Sequence, residues 1–428
     1  MSTREVPVTT HQYVAQRNVT NELMVGIRAA LGRPLADYYL VALSAGLLGG
    51  LGLYMVVSAS SVLSMVNTGN PYTYGMSQLY AVLVAVPVAF ALSRLNRRWL
   101  VIIAWLAITM AIVSLVLVVV PGGPGVTVAG NRAWLDLKVI PRLQPSEFAK
   151  AAIILWSAAV FGQPARVRAL DDTRSLLVPY LPVAGLILAL VTTEKDLGTA
   201  LIVAAIVIGQ LWFAGAPKKV LAWLLGPAAV GAGVLVATSP VRLAKVLGFL
   251  GNMFPILHLP TQTISDQSQN AIYALATGGW WGVGPGASRQ KWGGLYNGAH
   301  TDYILAVLGE ELGLFGILVV LALLFTLLWA GLRVARRSES MFWRLTACGI
   351  TGWFLVQAGV NTLVSFGLLP VLGVPFPLMS FGGSSLLSGA IGIGFLLAAA
   401  RHEPGAQRVL AERSPGLTGI VVARRRRP

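Results

Sequence analysis

A chain of 428 residues that is 56% apolar and only 11% charged cannot cover a water-facing surface of ordinary polarity, because soluble domains carry roughly 25% charged residues. Its 32 Lys and Arg outnumber its 16 Asp and Glu, for a net charge of +16. Such a balance on so apolar a chain excludes a nucleic-acid binder and points to a polytopic membrane protein whose basic residues sit in its loops.

The first 35 or so residues are polar, and no signal-peptide core is expected there. A membrane span needs ~20 mostly apolar residues. Ten stretches meet this requirement, at 38–59, 76–95, 99–120, 146–162, 175–193, 197–215, 219–238, 303–332, 341–369 and 381–400. Placing the N-terminus in the cytoplasm and alternating puts most Lys and Arg on the inner side, including Arg94, Arg97, Arg98, Arg166, Arg168, Lys218, Arg333 and Arg337. That bias predicts an all-α polytopic protein with both termini cytoplasmic. The expected organisation is a cytoplasmic segment at 1–37, a membrane domain at 38–400 and a basic tail at 401–428. The arginine run at 424–427 reads as solvated tail, with anionic lipid head groups as the sharper alternative. Between the seventh and eighth spans lies the longest outer loop, 239–302, and loops of that length usually have a task. The lone Cys348 excludes an internal disulfide, and the four histidines are scattered.

Charged residues inside spans need a reason. The fourth span opens LQPSEFAK, with Pro145 in the first turn, Glu147 at the positive helix end and Lys150 three residues on, on the same face. This is either a neutralising ion pair or a polar wall for an anionic substrate. In TTEKDLGTA, Asp196 suits the N-cap of the sixth span, yet Glu194, Lys195 and Asp196 together exceed what a cap needs. In AHTDYILAVLGEELG, Asp302 stands where the long loop meets the eighth span, after His300 and Thr301. At 100° per residue Glu310 falls ~80° from Asp302 and can share its polar face, whereas Glu311 is nearly opposite and needs another partner. The stretch 361–385 holds three prolines and four glycines, which break any helix. Such backbone is tolerated at membrane depth only beside protein or a water-filled cavity. Ser380, Ser384 and Ser385 would supply hydroxyls there, and Gln357 and Asn361 face the same region. A re-entrant turn without chemistry is the plainer alternative.

NRAWLDL at 131–137, LQPSEFAK at 143–150, KDLGTA at 195–200, GGWWGVG at 278–284, HTDYILAVLGEELG at 300–313 and LPVLGVPFPLMSFGGSS at 369–385 occur in this order. Together they resemble the SEDS proteins (shape, elongation, division and sporulation), a family that includes FtsW and RodA. GEELG and Lys291-Trp292 look more like FtsW than RodA. The chain departs from the family pattern at Lys195, where proline is usual, at 266–270, and at 296–298.

The resemblance implies a peptidoglycan glycosyltransferase of the bacterial cytoplasmic membrane, at the division septum. It would polymerise lipid II into a nascent glycan strand beside a class B penicillin-binding protein, other divisome proteins and membrane lipids. Asp302 would be the catalytic aspartate. Glu147, Lys150 and Asp196 would line the cavity, Arg132 and Gln267 its rim, and His300, Glu310, Ser380 and Ser384 would contact substrate. A carboxylate can take the proton of the attacking sugar hydroxyl, and cations such as Lys150 or Arg132 can receive the pyrophosphate leaving group. Inversion in one step needs a single base rather than a carboxylate pair. No resident cofactor is expected, and a divalent ion bridging pyrophosphate and Asp302 stays open. A RodA-like elongation polymerase, a lipid II flippase or other carrier, and a transpeptidase scaffold are the competing readings.

Overall fold

The computed structural model describes residues 32–128, 131–138, 141–163, 178, 180–238, 240–253, 266–296 and 298–413. The expected N-terminal segment up to residue 31, the basic residues Arg166, Arg168 and Arg174, and the arginine run at 424–427 lie outside the described residues.

A helix stands at each of the ten expected places. These are α1 Ala36–Thr68, α2 Thr73–Ser93, α3 Arg97–Val119, α4 Pro145–Phe161, α5 Leu181–Thr193, α6 Leu197–Phe213, α7 Lys218–Ala237, α10 Ile304–Arg337, α11 Met341–Ser365 and α12 Gly383–Arg401. The long loop after α7 carries two more, α8 Pro240–Met253 and α9 Asp266–Gly278, and α13 Pro404–Arg413 follows α12. Among the described residues, seven helices, α1 to α3, α7 and α10 to α12, are long and apolar enough to cross a bilayer, which makes this a multi-pass membrane fold. The other three are shorter, with 17 residues in α4, 13 in α5 and 17 in α6. The Gly-rich segment after α3 folds into a small antiparallel hairpin, β1 Gly125–Val128 with β2 Asn131–Leu135, in which Val126 pairs with Trp134.

α4 is the axis of the bundle. Every residue of it except Phe148 is buried, and α3, α6, α11 and α12 surround it. A helix enclosed on all sides does not need to match the bilayer thickness, and it can carry Glu147 and Lys150 without offering them to lipid. Around it, α10 runs along α1, and α12 along α2. The outer faces are rich in exposed apolar side chains, such as Phe90, Met110, Trp223 and Phe325, as lipid contact requires.

Two stretches leave the helical path within this bundle. The first is 366–382, between α11 and α12, where the sequence predicts a break. The second is a correction: the eighth span is expected as one continuous helix, but α10 is broken at Gly313, where φ is +67°. The break frees backbone groups, and the loop after α9 takes them up. Val283 N donates to Glu310 O at 2.9 Å and Gly284 N to Glu311 O at 3.1 Å. In return, Leu314 N donates to Gly279 O at 2.9 Å and Phe315 N to Trp280 O at 3.2 Å. A Cβ on Gly282 would strike the Glu311 carbonyl, and one on Gly313 would strike the Gly282 nitrogen and the Trp280 carbonyl. Gly282 also has positive φ, at +81°. Only glycine permits this backbone conformation and this closeness together.

Gly313→Ala therefore adds both left-handed strain and a backbone clash. We expect it to lower the unfolding midpoint in detergent, by the equivalent of at least roughly 1–3 kcal/mol. An unchanged midpoint would show that loop and helix part easily.

Candidate functional site

Asp302 lies in a turn, not in a helix. Tyr303 is the N-cap of α10 and the first helical residue is Ile304. Asp302 is half-buried, and Tyr303 behind it is fully buried. The turn is held by the irregular segment 366–382 and by α11. Phe381 N donates to His300 O at 2.8 Å, Ser380 Oγ to Thr301 O at 2.6 Å, and Asn361 Nδ2 to Asp302 O at 2.8 Å. Three consecutive carbonyls are thus fixed by three donors. From the loop side, Ser268 Oγ and Tyr303 Oη lie 3.0 Å apart, which ties the start of α9 to the same turn.

The irregular segment is read in turn by amides on α11. Asn361 Nδ2 also donates to Val374 O at 2.8 Å, and Gln357 Nε2 donates to Pro375 O at 2.9 Å. Their spacing of four residues places both on one helix face. Gln357 Oε1 accepts from Lys150 Nζ at 3.0 Å, and Lys150 Nζ meets Glu147 Oε1 at 2.7 Å. The ammonium also stands over the Trp353 ring, 5.2 Å from its centroid. Both charged side chains are almost wholly buried. Ser388 Oγ reaches the other Glu147 oxygen at 3.4 Å.

The third arm starts at Asp196. It caps α6 as expected, with Oδ1 accepting from Thr199 N at 3.0 Å and Oδ2 from Thr199 Oγ1 at 2.8 Å. Oδ2 also accepts from Gln144 Nε2 at 3.2 Å, and Gln144 N donates to Ser384 Oγ at 3.0 Å. Burial raises the Asp196 carboxyl above its usual range, and the two Thr199 donors pull it back part of the way. The Asp302 carbonyl, Ser380, Lys150 and Glu147 are therefore linked through the segment 366–382 and the amides of α11, while Asp196 joins Ser384, at the start of α12, through Gln144.

Two neighbours have unusual protonation. His300 is buried, stacked on Tyr74 with ring centroids 5.8 Å apart and set beside Phe381. Burial pushes its imidazole down to about 4, so it is neutral at physiological pH and offers hydrogen bonds, not charge. Glu194 is fully buried, and neither of its carboxylate oxygens has a hydrogen-bond partner. Burial pushes its carboxyl up to about 8, and the nearby Asp196 charge adds to the rise. Glu194 is thus a neutral acid at pH 7.

The remaining sequence candidates stand elsewhere. Glu310 does not share a face with Asp302, because helical spacing does not extend back through the turn that precedes Ile304. Its carboxylate is taken up by the loop, accepting from Ser288 Oγ at 2.5 Å, Arg289 N at 2.8 Å and Gln290 N at 3.3 Å. Arg132 lies on the hairpin and donates to Val120 O at 2.9 Å, pinning the hairpin to the end of α3. Gln267, half-buried at the start of α9, is next to Ser268, whose hydroxyl reaches Tyr303. Sequence reasoning missed Gln144 and Gln78. Gln78 is a lone amide in an apolar span, which was its signal; its Nε2 donates to Ser380 O at 3.3 Å and its Oε1 accepts from Gly382 N at 3.2 Å. Among the described residues, no three His, Cys, Asp or Glu side chains gather in a group that could hold a metal ion.

A profile of the FtsW/RodA/SpoVE family, described as cell cycle protein, matches residues 38–404. The "Probable peptidoglycan glycosyltransferase FtsW" of Mycobacterium tuberculosis is 37% identical over 382 residues, which cover 89% of this chain and 71% of that protein. A protein of the same name from Thioalkalivibrio sulfidiphilus is 37% identical over 366 residues, covering 84% of this chain and 89% of its own length. Among solved structures, a chain of a peptidoglycan synthase complex that coordinates polymerization and crosslinking aligns with a TM-score of 0.66 at 26% identity, covering 87% of this chain and 99% of that one. The rod shape determining protein RodA of Thermus thermophilus aligns with a TM-score of 0.59 at 26% identity, covering 87% and 98%.

Removing one partner of a buried ion pair strands the other, at a cost of roughly 3–5 kcal/mol. Lys150→Met should therefore lower the unfolding midpoint more than Lys150→Met/Glu147→Gln does, as read by thermal unfolding of the two variants. For Glu194, the folded state keeps its proton while the unfolded chain loses it between the ordinary value of 4.5 and about 8, so stability falls as pH rises through that window. Glu194→Gln removes this loss. Its midpoint should match the wild type near pH 5 and exceed it at pH 8; equal midpoints at both would mean that Glu194 ionises freely.

Proposed function

The chain belongs to the FtsW/RodA/SpoVE family of cell cycle proteins, and on that footing we propose that it is a peptidoglycan glycosyltransferase that polymerises lipid II into glycan strands. The network joining the Asp302 turn to Glu147 and Lys150 carries the reading of the site. It connects the turn that carries the half-buried Asp302 to a buried cation and several hydroxyls within the helix bundle.

In this reading all ten helices α1 to α7 and α10 to α12 span the membrane, both termini are cytoplasmic, and the α7–α10 loop lies outside. The three short helices are shielded from lipid on the sides where their neighbours pack. Asp302, at the end where the α7–α10 loop enters, accepts the proton of the attacking sugar hydroxyl as its oxygen forms a bond to the anomeric carbon of the donor. The bond from that carbon to the polyprenyl pyrophosphate breaks, and the leaving group departs with the electron pair. One displacement inverts the centre, so no second carboxylate is needed as nucleophile. The neutralised Lys150–Glu147 pair braces Gln357, which holds the 366–382 segment beside the Asp302 turn. Neutral His300, Ser380 and Ser384 supply hydrogen bonds rather than charge.

The relatives named FtsW favour a role in septal synthesis over elongation, beside a class B penicillin-binding protein as crosslinking partner. The kinship with a chain of a peptidoglycan synthase complex supports that partner class.

Asp302→Asn, purified with its transpeptidase, should fold and bind the partner yet produce no glycan from lipid II on a polymer gel. Full-length glycan from this variant would overturn the assignment of the base. Lipid scrambling in proteoliposomes that survives the substitution would favour a carrier instead.

A further inference from the structure

The break at Gly313 leaves the first part of α10, residues 304–312, as a two-turn helix without helical continuity to the rest of its span. Its N-terminal end carries the Asp302 turn. Its C-terminal end carries Glu310 and Glu311, both fully buried. The two carboxylates point to different anchors. Glu310 receives the 288–290 segment of the loop. Glu311 receives Lys291 Nζ at 2.8 Å and the Ser58 hydroxyl of α1 at 2.7 Å. The Lys291 ammonium has an acceptor for each of its three protons, since it also meets Gly286 O at 2.8 Å and Ser58 Oγ at 3.1 Å. Three separate pieces of chain, α1, the loop and the short helix, therefore meet at one buried ion pair.

We propose that Lys291, Glu311 and Ser58 are positioning residues, which fix the short helix 304–312 against α1 and the loop and thereby set where the Asp302 carboxylate stands. The assignment rests on Asp302 being the base. A helix of two turns is marginal alone, and its frame is the set of contacts at its ends. At the Asp302 end, the backbone is held by Asn361, Ser380 and Phe381. At the other end, the side-chain anchor is this ion pair, with the backbone zipper to 279–284 beside it. Loosening one end lets the short helix tilt, and the Asp302 carboxylate moves with it. Displacing a reacting group by about 1 Å can lower a rate by ~100-fold without removing any contact to substrate. Glu310 belongs to the same anchor, and this accounts for a carboxylate that the substrate-binding expectation leaves without a substrate to meet.

The prediction is a split between kcat and KM. Lys291→Met and Glu311→Gln, each purified with the transpeptidase, should lower kcat for lipid II polymerisation at least about tenfold and leave KM within about twofold. Arg333→Met serves as comparator. It removes one of two arginines that pair with the buried Asp37 at the opposite end of the bundle, where Arg333 Nε meets Asp37 Oδ1 at 3.1 Å and Arg337 Nη1 meets Oδ2 at 3.1 Å. It should lower the unfolding midpoint and leave kcat unchanged. Where Lys291→Met or Glu311→Gln fails to fold, Ser58→Ala carries the test, since it removes one hydroxyl and should lower kcat by about three- to tenfold. Folded variants that keep wild-type kcat, or that lose only KM, overturn the proposal. So does a loss of kcat that Arg333→Met reproduces. Asp302→Asn in the same assay separates the two readings: its activity tests the base alone, whereas the ion-pair variants keep Asp302 intact.

Discussion

Backbone that leaves the helical path inside a bilayer has no water to bond with, and each unsatisfied group there costs several kcal/mol. Among the described residues, the bundle leaves the path at 366–382 and at Gly313. Much of its polar architecture answers those two breaks. Gln357, Asn361, Ser380 and Gln78 bond the first. The loop at 279–284 bonds the second. The same bonds also determine position, since a carbonyl satisfied by one amide is held in one place. The turn bearing Asp302 lies between the two breaks and takes its placement from both.

Buried charge obeys a parallel constraint. Glu147 and Lys150, Glu311 and Lys291, and Asp37 with Arg333 and Arg337 are each neutralised by a partner at hydrogen-bond distance. Such pairs add little net stability compared with apolar residues of the same shape, but losing one partner is costly. Their effect is to make geometry hard to change. Glu310 and Asp196 are held instead by hydroxyl, amide and backbone N–H donors, and Glu194 meets the constraint by keeping its proton. A neutral acid beside Asp196 avoids a second negative charge next to the α6 cap.

The order of elements was legible in the residues. Hydropathy located each of the ten helices, the Pro and Gly cluster at 361–385 located the first break, and the i, i+3 spacing of Glu147 and Lys150 foretold their pair. The cap at Asp196 was equally local. What misled was the extension of helical spacing past a helix end. Counting 100° steps from Asp302 to Glu310 presumes a continuous helix, but the helix starts at Ile304. The break at Gly313 was hidden because hydropathy reads 303–332 as one span, and a single glycine within it carries no sign of its φ.

By itself, then, the sequence determined the membrane fold, the family and the short-range pairs, because these depend on composition, motif order and residues within one helical turn of each other. The tertiary structure alone decided which carboxylates face the network and which anchor the loop. Ser58 and Glu311 are 253 positions apart, and Lys150 and Gln357 are 207 apart. No periodicity links residues at such separations. They meet because a broken backbone in lipid must be bonded by whatever side chains the packing of distant helices brings to it.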